Sequence, residues 1–283
     1  MPILIDFSGT VHAAVHVDIR ANRESSKEYL RHLIINQLRS IRKKFVDIAG
    51  EPVICMDSKT GYWRRDKYPF YKAKRKEIRE ASSIDWNLVF SYINEIAQEI
   101  RENLPYKILQ IDKAEADDII GTLVLNHPWD PDETCMIVSN DHDFKQLHGQ
   151  KNTKQYFPFS KKIERVTNPD IYLLEHILKG DAGDGVPNVR SESNIFILPE
   201  KKRQLPVTTN YIKSVISTGT VPESDKIRLE ENTELIDLRM VPGVLKSKIL
   251  STYSETERNA RNKLFPYLVR NDLNYLLEHI SDF

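Results

Sequence analysis

Lys107-Ile108-Leu109-Gln110-Ile111-Asp112-Lys113-Ala114-Glu115-Ala116-Asp117-Asp118 decides the reading of this chain. A short apolar run reads as a buried strand, and an acidic segment then opens a helical pattern extending to about Leu125. The same grammar recurs on both sides. Ile3 to Phe7 is strand-like and carries Asp6 near its end, and Pro52 to Met56 is followed by Asp57. Thr134 to Ser139 is followed by Asp141 and Asp143. Helical spacing appears between these runs, at Leu30, Ile34, Leu38, Ile41 and Phe45, and again at Trp86, Val89, Phe90, Ile93, Ile96 and Ile100. Strands alternating with helices predict an α/β unit built on a largely parallel sheet.

Farther along, Gln155 to Phe159 and Ile163 to Val166 flank Ser160-Lys161-Lys162 as a predicted hairpin. Beyond Asn168 the pattern becomes helical, near 171–179, 210–217, 223–238 and 261–280. The expected organisation is a core over residues 1–180, with a basic arch at about 59–100, and a smaller all-α domain over 181–283. No run is long enough to span a bilayer. Cys55 and Cys135 each fall in a strand-like apolar run, which argues for buried free thiols rather than a disulfide framework and for a reducing, cytoplasmic setting without membrane contact. The chain is expected to act as a monomer.

Acids at the carboxyl ends of parallel strands converge even when they are distant in sequence. Asp6, Asp57, Glu115, Asp117, Asp118, Asp141 and Asp143 hold such positions, and Asp181 and Asp184 follow the 171–179 helix. So many carboxylates in one cleft cannot all ionise without cations. Oxygen donors with no accompanying His or Cys favour Mg2+ or Mn2+ over zinc, and two such ions about 3.5 to 4 Å apart suit phosphodiester hydrolysis. Each acid also has a plainer reading. Asp112 and Glu115 fit a capping box, Asp117 and Asp118 suit a helix N-terminus, and Asp141-His142-Asp143 suits a turn. Four acidic strand ends together are harder to explain that way.

The 283-residue chain holds 41 Lys plus Arg and 41 Asp plus Glu, so net charge points to no partner. Its distribution does. Between Lys59 and Arg79, nine basic residues (Lys59, Arg64, Arg65, Lys67, Lys72, Lys74, Arg75, Lys76, Arg79) face two acids (Asp66, Glu77), and Tyr62, Trp63, Tyr68, Phe70 and Tyr71 are interleaved. Cations meet phosphates and aromatic faces stack on unpaired bases, so the block suits single-stranded nucleic acid arching over the acidic cleft.

Leu4-Ile5-Asp6-Phe7, Cys55-Met56-Asp57, Gly61-Tyr62-Trp63-Arg64-Arg65-Asp66, Tyr71-Lys72, Asp112 to Asp118, Ser139-Asn140-Asp141-His142-Asp143-Phe144 and Leu178-Lys179-Gly180-Asp181-Ala182-Gly183-Asp184 come in this order. Together they resemble the 5′ nuclease or flap endonuclease superfamily, most strongly its ribonuclease H branch from T-even-type bacteriophages. The resemblance implies a PIN-like core with a helical arch. It also implies that Asp6, Asp57, Glu115, Asp117, Asp141, Asp143 and Asp184 bind two cations, with Asp118 and Asp181 in support. Lys72 matches the family's catalytic lysine and Arg79 its arch arginine, while Tyr71 and Arg75 would border the 5′ strand. The implied activity is 5′-to-3′ exonuclease and flap cleavage of DNA and of RNA primers paired to DNA, removing lagging-strand primers during phage replication in an infected cell. A single-strand-binding protein or a sliding clamp would be its companions. A helix–turn–helix element near 180 to 200 would grip duplex backbone and, in many relatives, a potassium ion. Here Gly185-Val186-Pro187-Asn188-Val189 lacks a second glycine pair, which argues against potassium and leaves Arg190, Lys201, Lys202 and Arg203 to meet phosphates.

Two rivals remain at the level of sequence. Asp6-Phe7-Ser8-Gly9-Thr10 resembles the nucleophile motif of haloacid-dehalogenase-type phosphatases, although Ser8 stands where that chemistry needs a second Asp. A non-catalytic nucleic-acid binding module is the other.

Overall fold

The structure is a computed structural model that describes residues 2–20, 26–82, 84–130, 132–198 and 202–283. In chain order its elements are β1 (Pro2–Asp6), α1 (Phe7–Arg20), α2 (Lys27–Ala49), β2 (Glu51–Met56), α3 (Trp63–Lys67), α4 (Lys74–Glu80), α5 (Trp86–Asn103), β3 (Lys107–Gln110) and α6 (Ala116–Asn126). They continue with β4 (Cys135–Val138), β5 (Thr153–Phe157), β6 (Lys162–Glu164), α7 (Pro169–Lys179), α8 (Thr209–Thr218), α9 (Lys226–Ile236), α10 (Gly243–Glu255), α11 (Leu264–Arg270) and α12 (Asn274–Glu278).

The strands form one sheet in the order β3-β2-β1-β4-β5-β6. Pairings from β3 through β5 are parallel, and β6 closes the edge as the antiparallel arm of the expected hairpin. Every residue of β1 and of β4 is buried, as expected of a parallel sheet covered on both faces. Alternation along β1 divides the core. Ile3 and Ile5 face the layer of α1, α2 and α5, whereas Leu4 faces α6 and α10. Each fully buried Ile or Leu contributes about 1.5 to 3 kcal/mol, so both layers are strongly held. Leu264, Leu268, Leu276 and Phe283, near the end of the chain, belong to the same apolar cluster as Ile3 and Ile5.

Local signals explain most of the boundaries. Ser26, Asp85 and Asn168 each accept a backbone N–H three residues on and start α2, α5 and α7. The helix after β3 begins differently from the sequence reading: its N-cap is Glu115, whose side chain and that of Asp118 form a reciprocal capping box, and Asp112 lies outside it. The expected long helix over 261–280 is two short ones, separated where Asp272 takes a left-handed φ of 51°. Helices α1 and α10 had no counterpart in the sequence reading.

Because β1 lies between β2 and β4, successive connections leave it toward opposite sides of the sheet. The crevice of a doubly wound sheet opens at such a point, beyond the carboxyl ends of its strands.

Candidate metal centre and nucleic-acid cleft

The carboxylates at these strand ends fall into two groups. Asp6, the last residue of β1, accepts the Gly9 N–H at 3.1 Å and the Ser139 hydroxyl at 2.7 Å. A Cβ on Gly9 would lie 2.9 Å from Asp6 Oδ2, so the glycine lets the first turn of α1 fold against this acid. Asp57 accepts the Ser8 hydroxyl and the Ala116 N–H, each at 2.8 Å, the latter from the first turn of α6. Asp141 and Asp143 follow β4. The Ser139 hydroxyl also accepts the Asp141 N–H at 3.0 Å, and Asp141 Oδ1 accepts the Asp143 N–H at 2.9 Å. Buried Gln155 donates to the Ser139 and Asp141 carbonyls at 3.1 and 2.7 Å, which fixes the loop that presents them. Asp6, Asp57, Asp117 and Asp141 line one cavity of about 620 Å³ together with Lys72, Arg75 and Arg79. Among the described residues, none of these four acids has a Lys or Arg within ion-pair distance.

The second group is neutralised by the protein itself. Glu115 is 1% exposed; Arg64 donates to it at 2.8 Å and Lys72 Nζ pairs with its other oxygen. Asp118, wholly buried, accepts from Arg64 at 2.7 Å, the Trp63 indole at 3.0 Å and the Glu115 N–H at 2.8 Å. Asp184 is paired with Arg75 and lies 3.4 Å from Lys72, and the Tyr71 hydroxyl donates to it at 2.8 Å. The Lys72 backbone is held in place too. Its φ of 57° is left-handed, and its N–H donates to the Asp184 carbonyl at 2.7 Å. Gly185 lies directly under this turn, where an added Cβ would stand 3.0 Å from the Phe70 carbonyl.

Proton affinities are shifted at several of these acids. Burial pushes the Asp6 carboxyl up to about 6; Gly9 and Ser139 oppose the shift, and Asp57 and Asp141 add to it. Burial, and then Asp141, hold Asp117 well above the usual carboxylate range, although Lys72 opposes them. Asp143 is raised by burial and then by Asp141, Asp181 and Asp184, and Asp181 by burial and Asp184. Asp184 goes the other way: burial would raise it, but Lys72, Arg75 and Tyr71 outweigh that and lower it. Asp6, Asp117, Asp143 and Asp181 thus resist ionising, as members of a carboxylate cluster do when it lacks cations. Oxygen donors compensated neither by protein cations nor by full hydration fit divalent cations.

Several expected site residues lie elsewhere in this arrangement. Asp118 has every oxygen occupied by protein donors beneath the cleft, so it braces α3 against α6 instead of facing a cation. Trp63 and Arg64, expected at nucleic acid, are 7% and 3% exposed; the Trp63 indole donates to Asp118, and Arg64 donates to Asp118, Glu115 and the Leu235 carbonyl. Tyr71 is also buried, its hydroxyl shared between Asp184 and Glu115. Tyr62, Arg65, Arg75 and Arg79 remain at the rim of the cleft, Arg65 with Tyr62 and Arg79 over Phe90. Arg190 turns away to donate to the Pro206 carbonyl at 2.6 Å. Lys202 and Arg203 are exposed, and Lys201 lies outside the described residues.

One donor escaped the sequence reading. His176 of α7 stands between Asp143, 3.4 Å from Nδ1, and Asp181, 3.9 Å from Nε2. One ligand atom from each of these three residues lies within 4.8 Å of the others. Burial lowers the His176 pKa, and Asp181 opposes that shift first. A single His in an amphipathic helix carries no spacing signal, and only the tertiary fold brings it here. Beside the main cleft lies a second cavity, of about 580 Å³, which shares Ser8, Asp57, Trp86 and Phe90 with it and has an apolar lining that includes Phe7, Val11 and Met56.

Comparison with known proteins identifies the family of the chain. The family described as 5′-3′ exonuclease, N-terminal resolvase-like domain, matches residues 2–173, and the phage T4 RNase H C-terminal family matches residues 167–283. The chain is 32% identical to the ribonuclease H of Enterobacteria phage T4, over 99% of this chain and 95% of that protein. The flap endonuclease Xni of Shewanella pealeana is 28% identical over 53% of this chain and 59% of its own length. Among solved structures, the phage T5 5′-exonuclease with bound zinc ions superposes with a TM-score of 0.59 at 16% identity, covering 98% of both chains. A phage T5 flap endonuclease in complex with DNA and metal ions gives 0.59 at 16% identity, over 100% of this chain and 99% of that one. The two T5 structures share the fold. No helix among the described residues is long and apolar enough to cross a membrane.

Proposed function

Since this chain belongs to the 5′-3′ exonuclease family and carries the C-terminal family of phage T4 ribonuclease H, we propose that it hydrolyses phosphodiesters from 5′ ends and at 5′ flaps as a metal-dependent nuclease. The observation that carries the mechanism is the gathering of Asp6, Asp57, Asp117 and Asp141 in one cavity with no neutralising Lys or Arg of their own. Asp143 and Asp181 extend the same acidic surface toward α7. Two Mg2+ or Mn2+ ions in this setting would activate the attacking water and stabilise the leaving oxygen. Asp6, Asp57, Asp117 and Asp141 would hold one position, and Asp181 a second, with Asp143 beside it.

The protein's own cations line the same cavity. Lys72, which lines the cavity, is anchored by its backbone bond to Asp184 and by the pair its ammonium makes with Glu115. There it would meet charge building on the scissile phosphate. Arg75 and Arg79 project from α4, which buries none of its residues and is free to contact a strand. The apolar cavity beside Asp57 has the size and lining to take the base next to the scissile bond. Residues 59–100 would form the arch over a core within residues 1–180, and the helices after 180 would contact duplex.

RNA primers paired to DNA are the substrate suggested by the relative's name, ribonuclease H. In that role the enzyme would work in the cytoplasm of an infected bacterial cell, alongside a single-strand-binding protein or a sliding clamp. A phosphatase of the haloacid-dehalogenase type would leave Asp117 and Asp141 without a role, and Ser8 donates to Asp57 where that chemistry needs an acid. The test is a 5′-labelled flap incubated with the wild type and with Asp57→Asn and Asp141→Asn, in Mg2+ and in EDTA. Cleavage should require both metal and wild-type acids, while both variants still bind the flap. Near-normal turnover by the variants, or cleavage in EDTA, would refute the proposal.

A further inference from the structure

The position of His176 narrows the metal chemistry of the outer site. It lies in the last turn of α7, near Leu173 and Ile177, whose burial fixes the helix on the core. Asp181 spends Oδ1 on the Gly183 and Asp184 N–H groups, at 2.8 and 3.2 Å, so Oδ2 is left facing the imidazole. Neither ring nitrogen is hydrogen-bonded to a carboxylate. The 3.4 and 3.9 Å separations exceed the roughly 2.8 Å at which a charged imidazole pair closes. The separation between Nε2 and Asp181 Oδ2 suits two ligands of one ion better. Donors bonded to one ion at about 2.1 Å lie about 3.0 Å apart when adjacent and about 4.2 Å apart when opposite, and the Nε2 to Oδ2 distance of 3.9 Å falls between these. A ligating histidine ordinarily donates its other N–H to a carboxylate, and Asp143 stands on that side of the ring.

Building on the metal-centre reading above, we propose that His176 Nε2 and Asp181 together ligate the outer cation, with Nδ1–H directed at Asp143, and that this nitrogen donor makes the outer position prefer Mn2+ to Mg2+. Magnesium favours oxygen and water ligands, whereas imidazole strengthens the binding of the later divalent ions. An oxygen-only centre would lack this bias.

The experiment uses the full chain in millimolar Mg2+ with one equivalent of Mn2+, read by electron paramagnetic resonance with electron spin echo detection. Expected are loss of the free-ion six-line spectrum and nitrogen-14 modulation from a directly ligated imidazole. Both should be absent in His176→Asn, whose Mn2+ affinity should fall about tenfold or more while its Mg2+ affinity changes little. Bound Mn2+ without nitrogen coupling in the wild type, or Mn2+ that binds only when Mg2+ is omitted, would overturn the role of His176 and leave the metal centre standing. Mn2+ that stays free even without Mg2+ would overturn both.

Discussion

Lys72 and Arg64 show how differently two cations of one basic block can be used. Arg64 is sealed between Glu115 and Asp118 beneath the cleft, whereas Lys72 lines the cavity itself. Removing one member of a buried ion pair leaves an uncompensated charge and costs about 3 to 5 kcal/mol. Arg64→Leu should therefore lower the urea midpoint by that equivalent. Lys72→Ala should cut turnover by about two to three orders of magnitude, as for loss of a transition-state charge donor, with a smaller effect on flap affinity. Equal losses of binding and turnover would make Lys72 an anchor only. Sequence composition could not separate the two, because a cation sealed beneath the cleft and one lining it read alike in a charged stretch. For the same reason Trp63 was read as a stacking face, although it is a buried donor to Asp118. Asp6 gives a pH signature. In the metal-free protein its pKa is about 6 against 3.8 for the ordinary carboxyl, so the folded state binds this proton more tightly than the unfolded chain. Its destabilising effect is absent below about pH 4, grows as pH rises toward 6 and is complete above that, on the order of 3 kcal/mol. In EDTA, Asp6→Asn should be more stable than the wild type at pH 8 and equal to it near pH 4. A constant difference across that range, measured by urea denaturation, would contradict the assignment.

At the scale of elements, the strands were legible and some helices were not. Each parallel strand is a short, nearly unbroken apolar run with an acid at or just beyond its end, a pattern that survives burial on both faces. Helix α1 follows β1 without a break, and Gly9 and Thr10 in its first turn hide its periodicity. Helix α10 opens on Pro242-Gly243, which reads equally well as a boundary, and only Ile249 is buried along it. The capping box moved by three residues because Asp112 and Glu115 both suit an N-cap, and Asp118 decides between them by reaching back to the Glu115 N–H. Helix α4 has no buried residue and is tied at its base to Asp184, so a bound strand would be expected to order it further. Hydrogen exchange across residues 74–80 should slow when a 5′ flap is added to Asp117→Asn protein in Mg2+. Unchanged exchange there, with the flap bound, would remove α4 from the strand path.

At the scale of the molecule, the crossing of the chain at β1 converts four distant acids into one cavity, and two apolar layers hold the sheet that presents them. The layer on the α2 side takes Ile3 and Ile5 from one end of the chain and Phe283 from the other. Acids at the first strand are thus braced by the last residues, a dependence that local sequence patterns do not carry. His176 enters the centre by the same long-range packing. Anomalous scattering from crystals grown in Mn2+ would locate the cations directly. Two peaks are expected, one among Asp6, Asp57, Asp117 and Asp141, and one beside Asp143, His176 and Asp181. No peak among the four strand-end acids at saturating Mn2+ would contradict the metal centre on which the nuclease mechanism rests.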